Sequence, residues 1–267
     1  MYESFWKFTE KPFENTPDPK FFYNSSQHEE ALARMLYVIR ESKGAGLLTG
    51  VYGCGKTLIA RSIFKELEQD IYKIAIITNP RLDDIEMLRM IAYGLGTGSE
   101  VPTRKADVLI RLETILKNNI LDGKKTVVII DEAHAIEKKE IFEEIRLLLN
   151  FQLDNKFLLT LLLFGQPELK EKIEEIKQLN QRIVMKYHLT PLNREDVENY
   201  IYHRLSVVGL KEKIFSSEAI DIIFERSGGI PRRVNQICDT LLLAAFGAKK
   251  LTIDKELVKE TIQSFSL

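Results

Sequence analysis

The sequence predicts an α/β fold: a five-stranded parallel sheet sandwiched by helices, followed by a small C-terminal domain built of helices alone. Three observations predict it. The first is Gly50-Val51-Tyr52-Gly53-Cys54-Gly55-Lys56-Thr57 after the apolar run Gly46-Leu47-Leu48-Thr49, which fits the strand–loop–helix pattern G-x-x-x-x-G-K-[ST]. The second is Val127-Val128-Ile129-Ile130, four β-branched apolar residues of the kind that fill a strand buried on both faces, followed directly by Asp131 and Glu132. The third is a change of pattern at Thr190-Pro191, beyond which only helical periodicity remains.

Composition sets the bounds. With 267 residues the chain can bury one large core, or one core and a small satellite. A hydrophobic content of 45% and a charged content of 29% argue against disorder. The net charge of −1 gives no whole-chain pull toward nucleic acid or anionic lipid, though a local patch remains open. Only two cysteines occur, Cys54 and Cys238. A disulfide at Cys54 would obstruct the glycine-rich loop, so both are expected as reduced thiols in a cytoplasmic protein, and no cysteine pair has zinc-ligand spacing. The N-terminus is not a signal peptide, and no apolar run reaches the roughly 20 residues needed to span a bilayer, so no direct membrane insertion is expected.

Taken in order, the first 23 residues hold eight aromatics (Tyr2, Phe5, Trp6, Phe8, Phe13, Phe21, Phe22 and Tyr23) and three prolines. The prolines oppose a continuous helix, so residues 1–26 read as an irregular arm anchored by its rings. It either packs on a core or walls a base pocket or clasps a neighbouring subunit. Ser25 or Ser26 can cap a helix from Gln27 to Ser42, with His28 in its first turn read as solvated rather than as a ligand. Helices follow over Leu58 to Gln69, Asp83 to Leu95 and Arg104 to Leu121, with a buried strand at Tyr72 to Ile77. Gly94 to Ser99 has loop composition; its G-x-G-x-G does not follow a strand, so a second phosphate site is not expected. Phe157 to Phe164 reads as a strand, Pro167 to Gln178 as a helix, and the last strand runs through Met185 to Leu189. Helices over Asn193 to Val207, Ser216 to Arg226, Ile230 to Phe246 and Asp254 to Phe265 complete the chain. The organisation expected is an arm over 1–26, a core over 27–190 and a helical lid over 191–267.

The chemistry follows from the loop. Glycine-rich backbone before a helix N-terminus presents N–H donors and the positive end of a helix dipole to phosphate oxygens. Gly50, Val51, Tyr52, Gly53, Cys54, Gly55, Lys56, Thr57 and Leu58 are therefore the expected nucleotide-binding segment. Lys56 is expected to reach the β- and γ-phosphates and Thr57 to ligate Mg²⁺. The pattern arises by chance in about one chain in a hundred of this length, so an ordinary strand–turn–helix corner keeps little weight. Asp131, at a strand's carboxyl end where open α/β sheets place ligands, is expected to orient Mg²⁺ and its waters. Glu132 is placed to act as general base on the attacking water; two exposed acids capping the next helix are the competing reading. Gln166, after the fourth strand, stands where a polar side chain touches the γ-phosphate and the water, and His134 either senses that phosphate, contacts a neighbour or supports the site from behind.

The whole arrangement resembles the AAA+ ATPases, and within them the ExeA-type general secretion pathway ATPases. Tyr2-Glu3-Ser4-Phe5-Trp6, Lys11-Pro12-Phe13, Thr16-Pro17-Asp18-Pro19, His28-Glu29-Glu30-Ala31-Leu32, Gly165-Gln166-Pro167-Glu168-Leu169 and Gly228-Gly229-Ile230-Pro231-Arg232 carry the closer likeness. The resemblance implies ATP rather than GTP, since no Asn-Lys-x-Asp is present, with Gln166 as sensor 1, Arg182 as an arginine finger and Arg232 as the sensor 2 arginine. A surface salt bridge competes for Arg182, and Arg233 rivals Arg232. It also implies nucleotide-dependent self-assembly and a secretion or envelope partner. Fuller members continue into a transmembrane helix and a peptidoglycan-binding region, whereas this sequence ends at Leu267 with neither. The same core resembles ATPases that regulate transposition on DNA, for which Arg226, Arg232, Arg233, Lys249 and Lys250 would supply a basic surface unless they form an ordinary solvated face. A slowly hydrolysing nucleotide-dependent scaffold is the third reading.

Overall fold

The computed structural model describes residues 1–96, 101–153 and 156–265. The arm opens with a one-turn helix α1 (Glu3–Trp6) and a 3-10 turn at Pro19–Phe21, whose start Asp18 caps by accepting from the Lys20 N–H. Helix α2 (Ser26–Arg40) follows, and its buried positions Ala31, Met35, Val38 and Ile39 recur at helical spacing. Strand β1 (Ala45–Gly50) is buried throughout and delivers the chain into the glycine-rich loop, after which α3 (Lys56–Glu66) begins at the loop lysine itself.

The alternation then continues with β2 (Tyr72–Ile77), α4 (Asp84–Gly94), α5 (Lys105–Leu121) and β3 (Lys125–Ile130). Asp83 and Glu86 close a reciprocal capping box at the start of α4. Gly94 ends that helix instead of opening a loop, and the rest of the expected Gly94–Ser99 loop lies, from Thr97 on, outside the described residues. Beyond β3 come a 3-10 turn at Ala133–Ala135 and α6 (Lys139–Leu148), a helix additional to those expected from the sequence.

The expected strand from Phe157 to Phe164 is two elements. Phe157 belongs to a short exposed antiparallel pair, β4 (Gln152–Leu153) with β5 (Lys156–Phe157), while the sheet strand is β6 (Leu159–Gly165). The helix expected over Pro167 to Gln178 is likewise divided, into α7 (Glu168–Glu175) and α8 (Lys177–Asn180). Ile176 leaves the helical region between them, at φ −99° and ψ 76°. Strand β7 (Ile183–Leu189) completes the sheet, and α9 (Arg194–Val207), α10 (Ser217–Ser227), α11 (Pro231–Gly247) and α12 (Lys255–Phe265) follow.

The main sheet has the order β2-β3-β6-β1-β7 with every pairing parallel. Parallel sheets need cover on both faces, and Val127 through Ile130 are accordingly fully buried. The chain divides into two compact units: Glu29–Tyr52 with Ile59–Leu189, and Met1–His28 with Gly53–Leu58 and Thr190–Leu267. The first holds the sheet core, where Leu161 and Leu163 of β6 join Val128 and Ile130 of β3. The second joins the arm's Tyr2, Trp6, Phe8, Phe13 and Phe21 to Leu205, Leu241, Leu242 and other apolar residues of the C-terminal helices. The aromatic rings thus serve a core. A buried arginine fastens them: Arg204 donates to Tyr200 Oη (2.8 Å) and the Glu14 carbonyl (3.0 Å), and its guanidinium lies 4.6 Å from the Phe21 ring centre.

Candidate functional site

In the sheet unit, three adjacent parallel strands present their carboxyl ends on one edge. Register pairs Ile130 with Leu163 and Thr49 with Gly165, so the residues just beyond β3, β6 and β1 emerge side by side. These are Asp131-Glu132, Gln166 and the Gly50-Val51 start of the loop, with the outer two strands roughly 10 Å apart at sheet spacing. Asp131 is buried, and its carboxylate accepts the Glu132 N–H at 2.9 Å. Glu132 itself adopts a left-handed backbone (φ 53°, ψ 30°), uncommon for a non-glycine residue. Gln166 Nε2 lies 2.9 Å from His134 Nε2, and His134 Nδ1 lies 3.4 Å from Glu132 Oε2. Lys172 of α7 fixes the turn beneath by donating to the carbonyls of His134 (2.5 Å) and Ile136 (2.8 Å).

In the other unit, the segment Gly53–Leu58 is built against the arm's end and the start of α11. Gly53 and Gly55 have φ of 85° and 103°, conformations L side chains rarely adopt, so both positions need glycine. The Arg232 N–H donates to the Gly53 carbonyl at 3.3 Å, and a Cβ on Gly53 would meet Arg232 Cβ at 2.9 Å. Lys56 is buried at the first position of α3, with Thr57 and Leu58 after it half-buried. Tyr52 is exposed.

His28, expected in solvent, is 5% exposed. Its Nε2 donates to the Cys54 carbonyl at 2.9 Å, leaving Nδ1 to accept from the Ser25 hydroxyl at 2.7 Å. Burial holds its pKa below the ordinary histidine value, with the bond to Cys54 opposing. Helical spacing carried no sign of this, because the partner carbonyl comes 26 residues later. The Cys54 thiol is also buried and pushed up to about 11 by that burial, with Lys56 pulling the other way. Arg182 stands in different surroundings, donating to Asn150 Oδ1 at 3.2 Å with its guanidinium 5.7 Å from the Phe157 ring centre.

A strand-borne glycine-rich loop with two left-handed glycines, running into a helix headed by a buried lysine, is the phosphate-cradling geometry. A family model described as an AAA domain matches residues 39–173, which include the loop, both carboxylates and Gln166. The chain belongs to the AAA domain family. Over 250 residues, 92% of its length, this AAA+ chain is 39% identical to general secretion pathway protein A of Aeromonas hydrophila, and it spans 45% of that relative. Its fold is similar to that of the Aeropyrum pernix ORC2 protein solved as ADPNP-ADP complexes (TM-score 0.67, 18% identity, 92% of this chain and 70% of that one). It is also similar to the Aeropyrum pernix ORC1 protein in complex with DNA (TM-score 0.71, 15% identity, 96% and 69%). At such identities the likeness shows the AAA+ fold.

The AAA loop fits a nucleotide's phosphates: backbone donors, a lysine, and glycines where side chains would fill the turn. For a divalent cation the chain offers the Thr57 hydroxyl and the Asp131 carboxylate, hard oxygen donors of the type magnesium takes. No group of three or more His, Cys, Asp or Glu that could hold a metal occurs among the described residues. No helix among them is long and apolar enough to cross a membrane.

Proposed function

We propose that this AAA+ chain binds ATP with Mg²⁺ through Gly50–Leu58 and hydrolyses it as a nucleotide-dependent, self-assembling switch. The observation that carries the reading is the loop conformation, with left-handed Gly53 and Gly55 leading into buried Lys56 on a chain that bears Asp131-Glu132 at the same sheet edge as Gly50. Lys56 neutralises phosphate charge, and Thr57 with Asp131 would hold Mg²⁺, which would supply further positive charge against that developing on the phosphate. Glu132 takes the proton of the attacking water, Gln166 contacts the terminal phosphate, Arg232 responds to nucleotide from the C-terminal helices, and Arg182 completes a neighbouring subunit's site. The identity to general secretion pathway protein A supports a role in assembling a secretion or envelope complex. A cytoplasmic location is part of the same proposal.

DNA regulation draws support from the fold likeness to an ORC1 protein solved with DNA. The five basic residues considered for it do not make one patch, however. Arg226, Arg232 and Arg233 flank the start of α11, and Lys249 and Lys250 lie beyond its end, about 25 Å away along 17 residues. The assembly ATPase is therefore the reading in front.

The test is ATP binding, ATP turnover and oligomeric state of the wild type, Lys56→Ala and Glu132→Gln. Lys56→Ala should lose nucleotide binding. Glu132→Gln should bind ATP and form oligomers while turning over about 10²- to 10⁴-fold more slowly. Wild-type turnover in Glu132→Gln would remove the base. An unchanged oligomeric state at saturating ATP would remove the switch. ATP-dependent, salt-sensitive duplex binding by Glu132→Gln would instead favour the DNA regulator.

A further inference from the structure

Glu86, Arg89, Met90 and Tyr93 recur at helical spacing along one face of α4, and with Leu82 and Val101 they line a cleft of about 390 Å³. The size lies within the range of ligand-binding clefts, and the lining is mostly apolar. Met90 and Tyr93 are exposed, so the apolar wall faces water. Arg89 is a cation without a counter-charge. Its Nε is buried with no partner, and its guanidinium makes no hydrogen bond or ion pair among the described residues. The carboxylate one turn before it, Glu86, is turned back onto the Asp83 N–H at 3.0 Å to close the capping box. A buried donor left unmade carries a desolvation cost that an acceptor from outside would remove.

The complementary shape stands at the end of α5. Leu121 is 82% exposed, so it does not fill the cleft of its own chain. Asp122 follows it, also exposed and without an ion pair among the described residues. Both are held in place by the turn that ends the helix. Gly123 takes a φ of 71°, the Lys124 N–H donates to the Asn119 carbonyl at 2.7 Å, and the Asn119 amide donates to Thr126 Oγ1 at 2.9 Å. The result is a fixed knob: one apolar side chain beside one carboxylate, at the negative end of a helix dipole.

We propose that the α4 cleft takes the Leu121-Asp122 knob of a second copy of this chain, Leu121 packing on Met90 and Tyr93 while the Asp122 carboxylate meets the Arg89 guanidinium. Arginine and carboxylate match as a two-bond fork, which sets the orientation of the docked turn as well as its affinity. Cleft and knob are different surfaces, so the contact is head-to-tail and repeats from copy to copy, giving a ring where the rotation closes and a filament where it does not. The inference rests on the self-assembly reading and gives it a surface. None of its residues belongs to Gly50–Leu58 or to Asp131-Glu132, so contact and nucleotide response can be tested apart.

The experiment is sedimentation velocity of the full chain over a concentration series, without nucleotide and with a saturating non-hydrolysable ATP analogue and Mg²⁺. Arg89→Glu and Asp122→Arg should each weaken self-association about 30-fold or more. Leu121→Ser should weaken it about tenfold, and the exposure of Leu121 means that thermal unfolding should not change, which separates lost association from lost folding. Arg89→Glu and Asp122→Arg carried together in one chain should restore association, and so should mixing the two single variants. In both cases every cleft can meet a knob of opposite charge. Association indifferent to Leu121→Ser, or no recovery with the reversed charges, would overturn the contact. A wild type that stays monomeric in both arms would also overturn it and leave the cleft to a different polypeptide. Assembly that needs the analogue yet ignores these variants would keep the nucleotide switch and remove the contact. Assembly that obeys the variants but ignores the analogue would keep the contact and remove the switch.

Discussion

His28 and Cys54 are joined by a 2.9 Å hydrogen bond from an imidazole nitrogen to a phosphate-loop carbonyl. A carbonyl turned away from the loop and held by a buried donor leaves the neighbouring N–H groups facing the opposite way, which an anion requires. The Ser25 hydroxyl, bonded to Nδ1, fixes the tautomer that makes this possible.

His28→Ala should therefore loosen the loop. Leaving the Cys54 carbonyl unsatisfied costs about 1–3 kcal/mol, readable as a lower midpoint in urea unfolding and as weaker nucleotide affinity. His28→Gln, with an amide donor, should lose less. An equal loss in both variants would show that the ring's packing, not its bond, is what matters.

The same histidine predicts a pH dependence. Its folded pKa lies below the unfolded value of about 6.5, so between the two the unfolded chain binds more protons than the native one. Stability is fully present above pH 6.5 or so and falls as pH drops toward the folded pKa. His203, also depressed by burial, contributes in the same direction. Chemical denaturation of His28→Gln between pH 5 and 7, as a rough window, should show a shallower slope than wild type; an unchanged slope would assign the effect elsewhere.

Gly229 carries the second demand on backbone. Its φ is 70°, and a Cβ would stand 2.0 Å from the Leu192 carbonyl oxygen, a contact that cannot be relieved by rotating a side chain. Gly229→Ala should cost about 2–5 kcal/mol from strain and overpacking together, seen in thermal unfolding, and should weaken nucleotide binding through Arg232, three residues on. Unaltered affinity in a folded Gly229→Ala would argue that Arg232 does not touch nucleotide.

Arg182 gives a prediction in trans. If it serves a neighbouring site, Arg182→Ala should hydrolyse ATP about 10³- to 10⁵-fold more slowly while binding it normally. Mixing it with Glu132→Gln should then restore part of the rate, since mixed contacts unite one intact base with one intact arginine. No recovery on mixing, with hetero-oligomers demonstrably formed, would return Arg182 to its observed partners Asn150 and Phe157.

The sheet was readable because its signals are local. Val127 to Ile130 announce a strand by composition, and the loop announces itself by spacing. Helix α6, absent from the expected elements, also carries a local signal: Ile141, Phe142, Ile145 and Leu148 have helical spacing and are all buried. Phe157 misled because it is apolar and precedes Leu158 without a break, yet its ring sits against Gly44 and Arg182 outside the sheet strand. His28 and the Gln166–His134 contact were not readable at all. Each depends on residues 26 and 32 positions apart, brought together by neither helical nor strand periodicity.

Trp6 donates to the carbonyl of Leu242, 236 residues further along. During synthesis, at ordinary rates, the arm therefore waits roughly 10–50 s for its partners to leave the ribosome. Meanwhile Tyr2, Trp6, Phe8, Phe13 and Phe21 lack the C-terminal part of their core, a sticky leader on a nascent chain whose sheet is already being made. The span of chain to be closed makes this among the last contacts formed. Burial of the arm thus reports that translation has passed α11, and a polypeptide truncated before α11 carries an aromatic tag that chaperones and proteases can recognise.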